Sequence, residues 1–386
     1  MPITACKHIV IVAGEESGDM HAAVLIKQLK ENFSTIKISG IGGRHMQAAG
    51  AHVIADLAQY GVTGITEVFR HFKIIRQAFM AIKAHISQNP PDLLILVDYP
   101  GFNLRLANFA KKKLGLKIIY YISPQIWAWK ANRIHRIKQC VDTMAVILPF
   151  EKSIYEQAQV PVRFVGHPLV ERITVQKDSS ISKTDLNLPA KATIIALLPG
   201  SRINEIERHM PILYETAKLL NQTHSGLHFV IPLVETLSTQ GIQSYFSDPK
   251  IPLTIVAGKA LDCMNAADFV IVASGTASLE CALLGKPMCI IYKSSWITYY
   301  LAMKLLKVKF LGLSNLLANK MVVPEFLQYD FNAVELSRFF SNFHADPSQP
   351  QKMIGQLLAV KDSLSAKKSD CTLLELIESE LPEINA

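Results

Sequence analysis

The segment from Asp268 to Ile291 reads DFVIVASGTASLECALLGKPMCII, and it contains the pattern that decides the fold. Its first apolar run, Phe269 to Val272, is short and rich in β-branched residues, which predicts a buried parallel strand. A glycine turn follows, and then a stretch of good helix formers that ends at Gly285. Met288 to Ile291 is predicted to be the next strand, so the segment is a β-α-β unit.

The turn of this unit, Ser274-Gly275-Thr276, lies where the helix must begin. Free backbone N–H groups and the helix dipole point out of a helix N-terminus together, so such a turn can bind an anion. Glu280 follows one helical turn later, where its carboxylate can accept hydrogen bonds from a ribose diol. The alternative is a plain β-α-β unit in which the hydroxyls only cap the helix.

Two further strand-turn-helix patterns occur in the chain. The strand from Thr193 to Leu198 runs into Pro199-Gly200-Ser201-Arg202, where the arginine can bind a diphosphate bidentately. The strand from His8 to Ala13 runs into a turn that lacks the P-loop and dinucleotide signatures. That turn is acidic, which favours a sugar ligand. The alternative is a tight turn whose acidic side chains are only exposed to solvent. Its predicted binding residues are Glu15, Glu16, Ser17, Gly18 and Asp19, before a helix from about Met20.

A carboxylate stands at the end of another predicted strand. The run from Asp92 to Val97 is continuously apolar after its first residue and ends at Asp98. Ligands of open α/β sheets bind beyond the carboxyl ends of the strands, so Asp98 is predicted to meet a substrate. Capping of the helix near Phe102 is the alternative role.

The excess of basic over acidic residues is confined to the first part of the chain. The 386 residues suffice for two domains, and the formal net charge is +8. Residues 1–173 hold 21 Lys and Arg against 12 Asp and Glu, whereas residues 174–386 hold 19 against 20. The first part is therefore expected to face something anionic. The six cysteines form no C-x-x-C pair and are predicted to be buried, reduced thiols.

A long helix from about Thr66 to Gln88 is predicted to combine an inward apolar stripe with an outer face for lipid. The stripe comprises Val68, Phe72, Ile75, Phe79, Ile82 and Ile86. The outer face mixes apolar and basic residues, as anionic membrane surfaces require: Phe69, Lys73, Arg76, Met80 and Lys83. Residues 296–311 are a second candidate for membrane contact. Without a signal-peptide pattern or a long uncharged apolar run, the protein is expected to be cytoplasmic.

The alternation of strands and helices is interrupted once. Residues 174–190 lose hydrophobic periodicity and are predicted to be a linker between domains at 1–173 and 191–350. Residues 351–386 are predicted to form C-terminal helices that pack back across the domains. The fold class is therefore α/β, with two tandem Rossmann-like domains. Together with the two phosphate turns, Glu280 and Asp98, this arrangement resembles a glycosyltransferase of the GT-B type, in which the two domains face each other across a cleft.

Eight segments, in order along the chain, resemble the lipid-A-disaccharide synthase family. They are GEESGD (14–19), VDYPGFN (97–103), YISPQIWAW (121–129), VGHPL (165–169), LLPGSR with a following EI (197–206), SGTASLE (274–280), NLLA (315–318) and PEFLQ (324–328). One departure is Ser314, which stands where the family usually has proline, directly before Asn315.

The resemblance implies the reaction. UDP-2,3-diacylglucosamine would donate its sugar, with inversion, to the 6-hydroxyl of 2,3-diacylglucosamine 1-phosphate, giving UDP and the β-1,6-linked disaccharide 1-phosphate. The enzyme would act at the cytoplasmic face of the inner membrane of a Gram-negative bacterium, without cofactor, metal or nucleic acid; a homodimer is left open. Catalysis would fall to Asp98 and Arg202, and the turn at 15–19 would bind the acceptor. The expected UDP-binding residues are Gly200, Ser201, Arg202, Ser274, Gly275, Thr276, Glu280, Asn315 and Gln328.

Two other functions and one other base stay open. A nucleotide-sugar epimerase would keep the donor site but would need acid and base groups on both sides of one sugar. A non-catalytic peripheral membrane protein would not need Asp98, Arg202 and Glu280. His21, inside the first helix, is the rival to Asp98 as general base.

Overall fold

The computed structural model describes residues 7–33, 35–58, 71–128, 131–174, 179–233, 245–246, 248–295, 299 and 309–381. Contacts between these residues divide the chain into two compact units. The first unit consists of the described residues up to Pro168 together with those from Leu364 onward. The second unit runs from Leu169 to Ser363.

The first unit is built on a parallel sheet of seven strands in the order β3-β2-β1-β4-β5-β6-β7. Helices cover both faces of the sheet, so a strand such as β4 is buried along its whole length and its sequence is continuously apolar. The strands are β1 (His8–Ala13), β2 (Lys37–Gly42), β3 (His52–Asp56), β4 (Leu93–Val97), β5 (Ile118–Tyr121), β6 (Thr143–Val146) and β7 (Val162–Phe164). The helices are α1 (Glu16–Asn32), α2 (Arg44–Ala48), α3 (Phe72–Gln88), α4 (Pro100–Leu114), α5 (Arg133–Cys140) and α6 (Pro149–Gln157).

The second unit repeats this architecture with six parallel strands in the order β10-β9-β8-β11-β12-β13. Its strands are β8 (Thr193–Leu198), β9 (Leu227–Leu233), β10 (Leu253–Ala257), β11 (Phe269–Ala273), β12 (Met288–Tyr292) and β13 (Glu325–Leu327). Its helices are α7 (Pro168–Thr174, which begins at the boundary), α8 (Ser179–Asp185), α9 (Ile203–Thr223), α10 (Ala260–Ala266), α11 (Thr276–Leu283), α12 (Leu313–Ala318), α13 (Ala333–Ala345) and α14 (Ser348–Ser363).

Each sheet has one point at which the strand order reverses direction. β1 lies between β2 and β4, and β8 lies between β9 and β11, so the connections leave these strands toward opposite sides. Such a switch point leaves a crevice at the carboxyl ends of the two central strands, where α/β proteins bind ligands. The predicted α/β class with two Rossmann-like sheets is confirmed.

The boundaries of the two units differ from those expected from the sequence. Part of the expected linker at 174–190 forms helix α8, whose buried Ser182 accepts a hydrogen bond from Asn265 Nδ2 at 3.1 Å. Helix α8 is short and mostly polar, so its sequence lacks the hydrophobic periodicity by which a helix is predicted. Residues 175–178 lie outside the described part of the chain.

The C-terminal helices are shared between the units. Helix α14 belongs to the second unit, whereas α15 (Leu373–Glu380) packs on the first sheet through its buried Leu376 and Ile377. The hydroxyl of Thr143 on β6 donates to Glu380 Oε1 at 2.9 Å. The chain from Leu364 onward thus belongs to the first unit, whereas the expected C-terminal region began at residue 351.

Smaller differences concern α1, α3 and the cysteines. Helix α1 begins at Glu16 and not near Met20, so the acidic turn forms its first turn. The Phe72 side chain, predicted to face inward, is instead 54% exposed at the first residue of α3. Among the described cysteines none is bridged, as predicted; Cys371 is half-buried and the others are buried, namely Cys140, Cys263, Cys281 and Cys289. Cys6 lies outside the described residues.

Candidate functional site

The switch point of the first sheet brings two predicted motifs together. Ala13 at the end of β1 is paired with Val97 at the end of β4, so the turn at Gly14 and the carboxylate of Asp98 follow from neighbouring strand ends. The contact between them is close: a Cβ atom on Gly14 would come within 2.1 Å of Tyr99 Cδ1. The absence of a side chain at position 14 is therefore what admits the Tyr99 ring over the turn.

The backbone at Asp98 is held in an unfavourable conformation. Asp98 and Tyr99 have φ angles of 45° and 47°, in the left-handed region that non-glycine residues seldom occupy. The carbonyl oxygen of Asp98 accepts hydrogen bonds from Tyr120 Oη at 2.5 Å and from Asn103 Nδ2 at 2.8 Å. Strain of this kind costs about 1–3 kcal/mol per residue and persists mainly where function requires it. Here it occurs at the carboxyl end of β4, directly before α4.

The carboxyl group of Asp98 is poised to exchange a proton. Burial raises its pKa to about 6, while a backbone hydrogen bond at Tyr99 and the nearby Arg133 act in the opposite direction. At neutral pH the group is therefore a carboxylate, but a more basic one than an exposed aspartate. A general base requires this combination, because its pKa should lie near the working pH.

Asp19 serves the fold of the acidic turn. Its side chain is fully buried, and its two oxygens accept hydrogen bonds from three backbone N–H groups at the start of α2. The donors are Gly43 at 2.7 Å, His45 at 2.9 Å and Met46 at 3.1 Å. A buried carboxylate with this environment holds α2 against α1 and is not open to a ligand.

The other residues of the turn are more accessible. Glu16 Oε1 accepts hydrogen bonds from Arg44 at 3.3 Å and from His45 at 3.0 Å. The first two residues of α2 thus pair with the Glu16 carboxylate of the acidic turn. Glu15 is half-buried and Ser17 is exposed. Gly18 is buried, with the Ala13 Cβ 3.5 Å from where its own Cβ would be, so it lets α1 pack closely on β1.

His21, the rival base, lies on the same helix in a different environment. It is half-buried near His167, whose pKa is lowered to about 3 by burial and, secondarily, by His21. His167 is therefore a neutral imidazole in the interior of the first unit. Its backbone N–H donates to the carbonyl of Leu364 at 3.1 Å, where the C-terminal segment enters this unit.

The switch point of the second sheet brings together the two predicted phosphate turns. Leu198 at the end of β8 is paired with Val272 on β11, and both turns follow directly. Gly200 and Gly275 have φ angles of +114° and +152°, which side chains rarely adopt, so both turns require glycine. Gly275 and Thr276 are exposed, and α11 begins at Thr276. Its first N–H groups therefore face solvent at this edge, as a phosphate site requires.

Arg202 stands at the start of α9, beside these turns. Its side chain is 60% exposed, and Nη1 donates to Glu205 Oε1 at 3.0 Å. The Glu205 carboxylate also lies where a side chain on Gly200 would be, 2.4 Å from the missing Cβ. The guanidinium is thus tethered to the glycine turn and remains accessible to an anion.

His209, which was not among the predicted site residues, links the chain after two strands. It is fully buried on α9; Nδ1 lies 2.6 Å from the Pro199 carbonyl oxygen, and Nε2 lies 3.0 Å from the Lys293 backbone N–H. These partners fix the neutral tautomer, with Nδ1 donating and Nε2 accepting. Burial lowers its pKa in agreement. A lone histidine on an otherwise apolar helix face was the only signal.

Glu280 has a partner that sequence spacing could not reveal. Its Oε1 accepts a hydrogen bond from Arg172 on α7, which is distant in the chain but belongs to the same unit. Burial raises the pKa of Glu280, and the Arg172 guanidinium opposes this shift. The carboxylate is largely buried behind the turn at Gly275, one helical turn along α11, as predicted.

Asn315 is enclosed within the fold. It is fully buried, and Oδ1 accepts from the N–H groups of Val322 at 2.7 Å and Val323 at 3.0 Å. Its Nδ2 donates to Val323 O and to Glu325 Oε1, both at 2.8 Å. The predicted UDP-binding residue thus organises the loop after α12. The neighbouring Ser314 is also buried, and its hydroxyl has no hydrogen-bond partner among the described residues.

Gln328 lies at the end of β13, at the same sheet edge as the phosphate turns. Its φ angle is 52°, and Oε1 accepts from the Ser294 N–H at 2.7 Å. Ser294 follows β12, so Gln328 ties two neighbouring strand ends together. Ser274 joins the adjacent loop, because its hydroxyl donates to the Leu311 carbonyl at 3.4 Å.

The outer face of α3 keeps only part of its predicted composition. Lys73, Arg76 and Met80 are exposed, Met80 to 58%. Lys83 instead turns inward, with Nζ 4.1 Å from the centre of the Phe109 ring on α4. Phe69 lies outside the described residues, as does most of the second candidate segment at 296–311. Within the described residues, no helix has the length and apolar character needed to cross a bilayer.

Comparison with known proteins identifies the family to which the chain is similar. Residues 9–370 match the family model described as Lipid-A-disaccharide synthetase. Lipid-A-disaccharide synthase 1 of Legionella pneumophila (strain Lens) is 64% identical over 378 residues, which cover 98% of either chain. Lipid-A-disaccharide synthase of Trichlorobacter lovleyi is 41% identical, over 98% of this chain and 99% of its own.

A solved structure shares the fold at low identity. The glycosyltransferase of kitacinnamycin superposes with a TM-score of 0.66 at 13% identity, covering 98% of this chain and 100% of that one. Such a likeness shows a common fold and no more, whereas the family match extends through both switch points and their turns. The chain therefore belongs to the lipid-A-disaccharide synthase family, and with it to the UDP-sugar glycosyltransferases.

Proposed function

We propose that this protein transfers 2,3-diacylglucosamine from its UDP derivative to the 6-hydroxyl of 2,3-diacylglucosamine 1-phosphate. The products are UDP and the β-1,6-linked disaccharide 1-phosphate. The observation that carries the proposal is Asp98, at the switch point of the first sheet. Its backbone is strained, and burial raises the pKa of its half-buried carboxyl group to about 6. Family membership supplies the choice of substrates.

Asp98 is the general base of the transfer. The 6-hydroxyl of the acceptor is a weak nucleophile at neutral pH, so its proton must leave as the new bond forms. The Asp98 carboxylate accepts that proton while the oxygen attacks the anomeric carbon of the donor. Attack from the side opposite to UDP inverts the configuration at that carbon and gives the β linkage.

The departing UDP takes the bonding electron pair, and its added charge must be stabilised. Arg202 supplies a fixed positive charge beside Gly200, and the first N–H groups of α9 and α11 supply oriented dipoles. Preorganised donors of this kind stabilise charge that develops in the transition state. Ser201, Ser274 and Thr276 add hydroxyl groups around the same turns.

Glu280 binds the ribose of UDP. Arg172 donates to Oε1, opposes the rise in the Glu280 pKa that burial causes, and fixes the orientation of the carboxylate. The second oxygen accepts from the ribose hydroxyls. Asn315 and Gln328 act indirectly, because their hydrogen bonds hold the loops beside the phosphate turns.

The acceptor sugar lies at the turn between β1 and α1. Ser17 is exposed there and Glu15 is half-buried, whereas Asp19 supports the turn from inside. The protein works at the cytoplasmic face of the inner membrane, as the family resemblance implies, and the acyl chains of both substrates require contact with a lipid surface. Exposed Phe72, Arg76 and Met80 share one stripe of α3 and suit contact with an anionic lipid surface.

The decisive experiment incubates the protein with UDP-diacylglucosamine, with and without the monosaccharide 1-phosphate. Release of UDP together with a β-linked disaccharide, dependent on the acceptor, is the expected outcome. Conversion of the UDP-sugar in the absence of acceptor would identify an epimerase instead. No conversion in either mixture, despite binding to lipid vesicles, would indicate a non-catalytic membrane protein.

A further inference from the structure

Two cavities adjoin the strained turn after β4, and they differ in chemistry. The first has a volume of about 480 Å³ and lies between the N-terminal ends of α4 and α5. Three guanidinium groups line it, from Arg105, Arg133 and Arg136. The described part of its wall contains no acidic side chain.

The second cavity is apolar and has a volume of about 290 Å³. Its wall is formed mainly by rings and aliphatic chains of α3 and α4, among them Phe72, Phe79 and Phe102. Gly101 and Arg105 line both cavities, so the cationic space and the apolar space are contiguous. Gly101 has no atom within 4 Å of the place where its Cβ would be, so this junction is open.

The position of the pair connects it with the proposed reaction. Asp98 precedes Pro100 and Gly101 of the cationic cavity by two and three residues, and Tyr99 lines the apolar one. Arg133 lies close enough to Asp98 to lower the pKa of its carboxyl group. A molecule that brings a hydroxyl to Asp98 can therefore place an anionic group among the arginines and an alkyl chain between α3 and α4.

We infer that these cavities are the acceptor subsite: the arginine cavity binds a phosphate monoester, and the apolar cavity receives an acyl chain of the same molecule. A monoester carries close to two negative charges at neutral pH and offers three oxygens, which arginine binds bidentately. A phosphodiester lipid carries one negative charge, so three guanidinium groups attract it less strongly than they attract a monoester. This inference rests on the proposed function, since it names the groups of the acceptor that the first unit recognises.

The test measures binding directly and does not depend on turnover. Titration calorimetry with hexyl, octyl and decyl phosphate probes both cavities at once, and decyl alcohol serves as the uncharged control. We expect affinity to rise with chain length and decyl phosphate to bind at least 10-fold more weakly to Arg105→Ala/Arg136→Ala. Lys113→Ala, which removes an exposed charge from the same helix α4 outside the cavity, should bind decyl phosphate as the parent does.

Phe79→Ser examines the apolar cavity separately. It should flatten the dependence of affinity on chain length while leaving the preference for phosphate over alcohol. Short-chain phosphatidylglycerol is the competing ligand. If it displaces decyl phosphate at equal concentration, the site is one for membrane lipid and the acceptor assignment is overturned.

Turnover separates this inference from the reaction itself. In the parent, an acceptor without the 1-phosphate should lose at least 10-fold in kcat/KM, and in Arg105→Ala/Arg136→Ala that loss should largely disappear. If disaccharide forms but both acceptors respond equally to the arginine variants, the subsite is wrong and the reaction stands. If decyl phosphate binds through the arginines but no disaccharide forms, the phosphate-and-alkyl site stands and the proposed reaction is wrong.

Discussion

The ring of Tyr99 occupies the space that a side chain on Gly14 would need, with Cδ1 2.1 Å from the position of the missing Cβ. This contact joins the turn after β1 to the turn after β4. It couples the conformation of Asp98, whose own φ angle is strained, to the turn proposed to hold the acceptor sugar. A substitution at position 14 should therefore alter the position of the Asp98 carboxylate.

Gly14→Ala tests this coupling. The added methyl group must displace Tyr99 or the turn, at a cost of about 1–3 kcal/mol in stability, as for other overpacked sites. We expect turnover to fall by at least about 10-fold, because a small misplacement of a catalytic group is costly. Gly355→Ala is the matched control, since a Cβ at that position meets no atom within 4 Å. Unchanged kinetics in Gly14→Ala would show that the Tyr99 ring does not position Asp98.

Asp98→Asn tests the general base. The amide keeps the shape of the side chain but cannot take the proton, so turnover should fall by roughly 100- to 10,000-fold with UDP binding intact. In the parent, kcat/KM should rise as pH increases through about 6, where the carboxyl group ionises, and then level off. His21→Ala is the companion variant. Near-normal turnover in Asp98→Asn, together with a large loss in His21→Ala, would move the role to His21.

The same substitution should make the protein more stable. The folded state holds the Asp98 proton up to about pH 6, whereas the unfolded chain releases it near 3.8. Between these values the folded state binds more protons, so this group lowers stability as pH rises. Asp98→Asn should therefore be the more stable protein at pH 7.5, by up to about 3 kcal/mol. The advantage should vanish below pH 4 in denaturant titrations; an equal advantage at every pH would argue against ionisation as its cause.

Arg202→Ala and Glu280→Ala should divide the donor site into two functions. Loss of the guanidinium should lower kcat by about 100-fold or more, because it stabilises charge on the departing UDP. Loss of the carboxylate should mainly weaken UDP binding, which calorimetry measures. Arg172→Ala is the control for orientation and should weaken UDP binding in the same direction as Glu280→Ala, but less. If Glu280→Ala binds UDP as the parent does, the ribose assignment fails.

The α3 face should govern attachment to lipid. Phe72→Ser/Met80→Ser with Arg76→Glu removes two exposed apolar side chains and reverses one charge. We expect this variant to remain folded and to be released from anionic vesicles in sedimentation assays. Lys83→Glu alone should have a smaller effect, because Lys83 lies over the Phe109 ring. A folded triple variant that still sediments would direct attention to residues 296–311.

The parts of the site that sequence could predict are those coded by a few consecutive residues. The turns at Gly200 and Gly275 and the strand ending at Asp98 each carry a local pattern, and parallel strand order then brings them together at the switch points. The fold class follows from the same alternation of strands and helices. These predictions required no knowledge of which helix packs where.

What could not be predicted depends on partners distant in the chain. The Arg172–Glu280 pair spans 108 residues, and the link from His209 to Lys293 spans 84. Asp19 and Asn315 carry the polar groups expected of ligand contacts, yet both are buried and hydrogen-bonded within their own unit. A sequence motif indicates that a polar residue is needed at a position. It does not show whether that residue contacts a ligand or forms hydrogen bonds within the fold.

The return of α15 to the first sheet has a consequence for the making of the protein. Sheet strands β1 to β7 leave the ribosome early, but the groups that complete them, such as Glu380 bonded to Thr143 and Asp370 bonded to Phe164, are synthesised more than two hundred residues later. The second unit, by contrast, is continuous from Leu169 to Ser363. The apolar surface of the first unit that contacts Leu376 and Ile377 of α15 therefore stays uncovered during translation until that last helix has been synthesised. A chain truncated before position 364 should therefore expose that surface.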